Sequence, residues 1–174
     1  MSLQNLTLVL GGASSGKSAF AEGLVEAASP ARLYVATATV RDAEMGARVA
    51  RHRARRSSGW RTIEAPHDPA AALAAVGPGE AVLIDCATLW LSNLMEAGAD
   101  LCAAEDGLLA ALAACPAPVA IVSSEVGLGL VPGTPLGRRF RDAQGQLNQR
   151  LAAQAGRVVF VAAGLPLVLK GHLP

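Results

Sequence analysis

Short uninterrupted apolar runs alternate along this chain with longer stretches in which apolar positions recur every three or four residues. The short runs predict strands at Leu6–Leu10, Arg32–Ala36, Ala81–Asp85, Val119–Ser123 and Val158–Val161, with Leu165–Leu169 as an edge strand. The longer stretches predict helices over Ala19–Ala28, Ala43–Arg56, Pro69–Val76, Leu89–Glu96, Glu105–Ala114 and Leu136–Ala155. A strand that is apolar at successive positions is buried on both faces, so it needs helices on either side of its sheet. The pattern therefore predicts an α/β fold with a mainly parallel, doubly covered sheet. In such sheets ligands bind beyond the carboxyl ends of the strands. Gly127 to Pro135 is too rich in Gly and Pro for a regular element, and strand and helix signals continue on both sides of it. It reads as an active-site loop rather than a domain linker.

Composition narrows the picture. A chain of 174 residues that is 52% hydrophobic is long enough and apolar enough for one domain with a sizeable core, taken here as residues 1–174. A net charge of +1 supplies no global field to recruit nucleic acid or an anionic membrane surface. Three widely spaced cysteines, no signal-peptide pattern and no apolar stretch of membrane-spanning length point to a cytoplasmic protein with reduced thiols. The histidines His52, His67 and His172 lie far apart and near no cysteine pair, which gives a structural zinc site little support.

Candidate chemistry begins at the end of the first strand, where Gly11-Gly12-Ala13-Ser14-Ser15-Gly16-Lys17-Ser18 matches the phosphate-binding loop pattern between strand and helix. Glycines let the backbone turn tightly and aim N–H groups at phosphate oxygens, helped by the positive end of the following helix. Lys17 then reaches the β- and γ-phosphates, and the Ser18 hydroxyl serves as a ligand for Mg²⁺. The alternative is a Gly/Ser turn that merely precedes a helix. Taken as a phosphate cradle, the loop makes the expected fold a single-domain P-loop NTPase of the RecA-like kind. Such a site needs an acid on the metal side, and Asp85, closing the run Ala81–Asp85, is the candidate on a strand expected beside the P-loop strand. Its competing role is that of a cap for the next helix. Glu125, just past the strand ending at Ser123, is open between a functional and a loop-bonding role.

The segment 42–56 forms a third constellation. As a helix capped by Asp42 it gathers Arg48, His52, Arg55 and Arg56 on or near one face, with Met45 and Val49 on another. A solvated arginine-rich face with an incidental histidine is one reading. A nucleic-acid helix is another, weakened by the absence of interleaved aromatics. A nucleotide site is the third, because guanidinium forks match phosphates and an imidazole among them can act as a nucleophile.

These residues carry a family resemblance. Through GGASSGKS, LYVATA, DAEMGARVARHR with WRTIEAP, VLIDCATLWLSNL, SSEVGLGLVP and RRFRDAQGQLNQRLA, in order and over nearly the whole length, the chain resembles the bifunctional adenosylcobinamide kinase / adenosylcobinamide-phosphate guanylyltransferase family of cobalamin assembly. Only the P-loop is shared with many families, whereas His52 on a basic helix together with EVGLGLVP and FRDAQGQLNQRLA is specific. The resemblance implies that His52 takes GMP from GTP as a covalent intermediate, with Lys17 acting on the phosphates. It also implies nucleotide contacts from Gly11 to Ser18, from Ala36, Thr37 and Ala38, from Arg53, Ala54, Arg55 and Arg56, and from Glu64 and Asp85. Arg51 stands where some members carry a second histidine. Asp85 is shorter than the Glu of some members, which implies that a water stands between it and the metal.

The activity implied is two transfers on one substrate, adenosylcobinamide and then its phosphate. ATP or GTP donates the γ-phosphoryl group, GTP donates GMP through His52, and Mg²⁺ assists. A homo-oligomer, trimeric in form, is implied as well, with no nucleic-acid partner and no membrane insertion. A monofunctional small-molecule kinase would keep the P-loop and Asp85 and give His52 no covalent role. A regulatory GTPase would need a guanine-reading Asn-Lys-x-Asp, and the only lysines are Lys17 and Lys170, the latter followed by Gly171-His172.

Overall fold

In the computed structural model, residues 6–39 and 42–173 are described, and the side chains of Glu44, Met45, Arg48, His52, Arg53 and Arg55 lie outside the described residues. The elements follow in the order β1 (Leu6–Gly11), α1 (Lys17–Ala28), β2 (Arg32–Ala36), α2 (Ala43–Arg55), β3 (Trp60–Glu64), α3 (Pro69–Ala74), β4 (Ala81–Asp85), α4 (Ala87–Glu96), α5 (Leu101–Ala114), β5 (Val119–Ser124), α6 (Pro135–Gln154), β6 (Arg157–Ala162) and β7 (Leu165–Lys170). The strands form one seven-stranded sheet ordered β3-β2-β4-β5-β1-β6-β7. All neighbours pair in parallel except β6 and β7, which are antiparallel.

The alternation of side chains along β1 shows how the sheet is covered. Leu6, Leu8 and Leu10 enter a large apolar cluster with Leu108 and Leu112 of α5 and Leu147 and Leu151 of α6. Val9 enters a smaller cluster on the opposite face with Ala21 and Val25 of α1. Each fully buried leucine of this kind contributes about 1.5–3 kcal/mol through removal of apolar surface from water. Both clusters exclude water from β1 and leave only its carboxyl end open to a ligand.

Three departures from the sequence reading have local causes. β3 carries only two apolar residues, Trp60 and Ile63, because it is an edge strand paired on one side with β2, and no continuous apolar run marks it. α5 begins at Leu101 rather than Glu105, since the Asp100 carboxylate accepts the Ala103 N–H at 3.1 Å and caps the first turn. Most consequential is the position of β4. It does not adjoin the P-loop strand, because β5 inserts between them and pairs with both.

The carboxyl ends of the central strands lie along one edge. Ala36 is in register with Glu64 on one side and with Asp85 on the other, and Gly11 is in register with Ser124. Five strands therefore deliver residues to a common rim. Loop 125–134 after β5 has no regular structure, in line with its Gly and Pro content. No helix among the described residues is long and apolar enough to cross a membrane.

Candidate active site

The loop between β1 and α1 is shaped by positions that only glycine can fill. A Cβ on Gly11 would lie 2.5 Å from Ser15 Oγ and 2.6 Å from the Val161 carbonyl oxygen. Gly16, at φ 93°, takes the left-handed conformation that starts α1, and a Cβ there would meet Gly164 Cα at 3.1 Å. The loop is closed by the Gly164 N–H donating to the Ser15 carbonyl at 2.8 Å. Inside it, the buried Lys17 ammonium donates to the Gly12 carbonyl at 2.9 Å. Ser15 Oγ is buried there without a hydrogen-bond partner.

Helix caps distinguish this end of the molecule. α3, α5 and α6 begin with side-chain caps from Asp68, Asp100 and Thr134. α1 and α4 begin with none, and both start on the same cavity. The first-turn N–H groups of α1 are thus left for an anion, which is what a phosphate cradle requires.

A cavity of about 510 Å³ lies along the carboxyl rim of the sheet. Of the residues expected from sequence, Ala13, Lys17, Ser18, Ala36, Ala38, Arg56, Glu64 and Asp85 line it. Thr37 is fully buried, and its hydroxyl bonds the Cys86 backbone instead of facing the cavity. Ala54 is exposed on α2. Side chains of His52, Arg53 and Arg55 lie outside the described residues. Glu125 is absent from the lining, and its Oε1 accepts the Gly127 N–H at 2.6 Å, which makes it an organiser of the loop that follows.

Several lining residues had no motif to mark them. Tyr34 and Thr62 come from strand interiors, Ser124 ends β5, Cys86 directly follows β4 and Thr88 lies in the first turn of α4, where sequence alone does not say which way a side chain faces. α2 also corrects an expectation, for Val49 and Arg56 both line the cavity although they were assigned to different faces. α2 ends at Arg55, so Val49 reaches the cavity from the helix and Arg56 from the residue just past its end. Position 52 is three residues after Val49, one turn further along the same face of α2.

At the centre of the rim the Tyr34 hydroxyl donates to Asp85 Oδ2 at 3.0 Å. Burial, reinforced by the Asp85 charge, raises the Tyr34 phenol well above its ordinary range and keeps it a donor. The next residue, Cys86, follows a cis peptide bond. Its thiol is pushed up to about 11, chiefly by burial and then by Asp85, so it stays protonated and is no nucleophile at neutral pH.

The donor set suits a hard cation. Ser18 and Asp85 offer a hydroxyl and a carboxylate to the same cavity, and no group of three or more His, Cys, Asp or Glu among the described residues forms a metal cage. Magnesium is held in this sparse way, by one or two protein oxygens with phosphate and water completing its octahedron.

Comparison with known proteins agrees with this geometry. The family model for cobinamide kinase / cobinamide phosphate guanyltransferase matches residues 7–169. The bifunctional adenosylcobalamin biosynthesis protein CobP of Pseudomonas aeruginosa is 46% identical, with 95% of this chain and 97% of the relative covered. The corresponding proteins named CobU of Escherichia coli and Salmonella typhimurium are each 40% identical, over 95% of this chain and 99% of their own length.

Proposed function

The chain belongs to the cobinamide kinase / cobinamide phosphate guanyltransferase family, and from that premise we propose that its carboxyl-rim cavity performs both transfers, the second through His52. The protein is a transferase of cobalamin biosynthesis that uses nucleoside triphosphates, as kinase and as guanylyltransferase.

In the kinase step the hydroxyl of the aminopropanol arm of adenosylcobinamide attacks the γ-phosphorus of ATP or GTP, and the nucleoside diphosphate leaves. The loop 11–18 cradles the phosphates through backbone N–H groups, and Lys17 moves from the Gly12 carbonyl to the transferring group. Ser18 and Asp85 would hold Mg²⁺, which when bound neutralises charge on the phosphate oxygens. In the guanylyl step a neutral His52 nitrogen attacks the α-phosphorus of GTP and pyrophosphate leaves. The phosphate oxygen of the corrinoid then displaces the imidazole, giving adenosylcobinamide-GDP and free histidine. The observation that supports His52 is its position on α2, three residues after the cavity residue Val49 and four before the cavity residue Arg56 that follows the helix end. Glu64 and Ala38 on the same cavity support nucleotide contacts from that wall.

The test is to mix the protein with α-labelled GTP and Mg²⁺ and to look for label retained after denaturation. Label that is lost in mild acid, survives alkali and is absent from His52→Ala is the expected result. His52→Ala should keep its kinase activity, because phosphoryl transfer to a hydroxyl needs no protein nucleophile. Acid-labile label on His52→Ala would move the nucleophile to His67 or His172, and no label on the unaltered protein would leave a monofunctional kinase.

The same reading includes a homo-oligomer, trimeric in form, acting in the cytoplasm where its triphosphates are. Its support is apolar surface, since Leu128, Leu130 and Val131 of loop 125–134 and Leu165, Leu167 and Leu169 of β7 are all exposed. Light scattering of the purified protein measures the mass directly.

A further inference from the structure

Tyr34 touches both chemical ends of the cavity. It lies on β2, the strand between β3 and β4, opposite Leu83 of β4 and Thr62 of β3. Asp85 is two residues beyond Leu83, so it is the diagonal same-face neighbour of Tyr34, within reach of a phenol. That reach is used, with the hydroxyl 3.0 Å from Asp85 Oδ2. The ring is occupied as well. The Arg56 guanidinium sits 3.9 Å from its centroid, and Trp60 packs edge-on at 6.1 Å and 76°. Arg56 gains a second hold on the same wall by donating from Nη1 to Thr62 Oγ1 at 3.3 Å.

We propose that Tyr34 is a positioning residue for this reaction: its hydroxyl orients the Asp85 carboxylate, and its ring face seats Arg56 just beyond the end of α2. The proposal rests on the reading of Asp85 as the metal-side acid. A carboxylate at a strand end turns easily about its last bond, which has a broad and nearly twofold profile. A phenol anchored in a buried ring removes that freedom, and it does so before nucleotide or metal arrives. A guanidinium over an aromatic face is held by attraction to the ring while its N–H edge stays available for phosphate. One side chain thus sets the carboxylate of β4 and a guanidinium beside α2 in fixed relation across the cavity. A tyrosine that only filled the core would carry neither contact, and its removal would change stability without changing metal dependence.

The experiment compares Tyr34→Phe, Tyr34→Leu, Asp85→Asn and the double variant Tyr34→Phe/Asp85→Asn. Metal affinity is read from the electron paramagnetic resonance signal of Mn²⁺ with a non-hydrolysable triphosphate analogue, and the Mg²⁺ dependence of the kinase rate is read in parallel. Tyr34→Phe keeps the ring, Trp60 and Arg56, so it should fold normally. Its half-saturating metal concentration should rise about tenfold, as expected for loss of a hydrogen bond to a charged group. In the Asp85→Asn background the same change should have little further effect, because the hydroxyl acts through that carboxylate. Tyr34→Leu at saturating metal should raise the KM for GTP about fivefold beyond Tyr34→Phe, reflecting the lost cation–aromatic contact. If Asp85→Asn shifts the metal curve and Tyr34→Phe does not, the positioning role of the hydroxyl is wrong while the site reading stands. If Asp85→Asn leaves the curve unmoved, it is the site reading that fails. A GTP KM for Tyr34→Leu equal to that of Tyr34→Phe overturns the role of the ring, and Tyr34→Phe decides the hydroxyl even if the leucine variant does not fold.

Discussion

Thr37 and Cys86 satisfy one another twice, the Cys86 N–H donating to Thr37 Oγ1 at 2.7 Å and the Thr37 hydroxyl donating to the Cys86 carbonyl at 2.7 Å. The pair is buried, and it is extended by the Thr37 N–H to the Asp85 carbonyl at 3.2 Å and by Asn93 Nδ2 to the Thr37 carbonyl at 2.9 Å. A residue that the family resemblance assigned to nucleotide contact therefore holds the backbone on which Asp85 stands. Thr37→Val keeps the shape and removes both bonds, leaving a buried N–H and a buried carbonyl without that partner. The expected loss of stability is about 1–3 kcal/mol. A urea titration measures it, and a midpoint equal to that of the unaltered protein would show that the two groups find other partners.

Lys17 is asked to stabilise charge on the transferring group in both half-reactions. Lys17→Ala should slow kinase and guanylyl transfer alike by about a hundred- to a thousandfold, the usual cost of removing a preorganised charge contact. Single-turnover rates for each half-reaction are the measurement. Undiminished kinase turnover would remove residues 11–18 from the catalytic cradle.

Asp85→Asn is nearly isosteric and leaves the cavity wall in place. If a water stands between Asp85 and Mg²⁺, the half-saturating metal concentration should rise on the order of tenfold, as for loss of an outer-shell carboxylate. The Mg²⁺ titration also distinguishes the helix-cap alternative, in which the curve and the rate stay as they were.

Glu80 supplies a test of pH dependence away from the site. Its carboxylate accepts Arg61 Nε at 2.6 Å and Arg61 Nη2 at 2.7 Å, and also the Gly77 N–H at 2.6 Å. The Arg61 bonds, ahead of the Gly77 bond, hold its pKa below the ordinary 4.5. A carboxyl depressed in the folded state contributes stability that is fully present above 4.5 and is lost as the pH falls through the lower, folded value. Glu80→Gln should therefore lower stability at pH 7, by no more than about 1 kcal/mol because Arg61 is partly exposed and screened. The difference in Tm from the unaltered protein should shrink as the pH falls below 4.5, and a difference that does not change with pH would show that the charge of Glu80 is not what stabilises the fold.

Much of this molecule was legible because its signals are local. The P-loop pattern between an apolar strand and a helix announced the glycine-shaped turn that joins β1 to α1, and the alternation of runs announced the class of sheet. β3 was not legible, because an edge strand with one neighbour needs no apolar run. The part α2 takes in the cavity was not legible, because Val49, set apart from the arginines in the sequence pattern, lines the same cavity as Arg56 just past the helix end.

By itself the sequence determined most of the elements, the glycine-dependent loop at residues 11–18, and the family through motifs spread over the whole chain. These follow from dihedral limits, hydrophobic period and the chemistry of nearby residues, all of which act over a few positions. Only the tertiary structure decided that β5 separates β4 from β1, that Thr37 turns inward to Cys86, and that Tyr34 reaches Asp85 while carrying Arg56. Those relations join residues about 20 to 50 positions apart, and they depend on strand order and register, which are set by how the whole sheet pairs and buries its two faces.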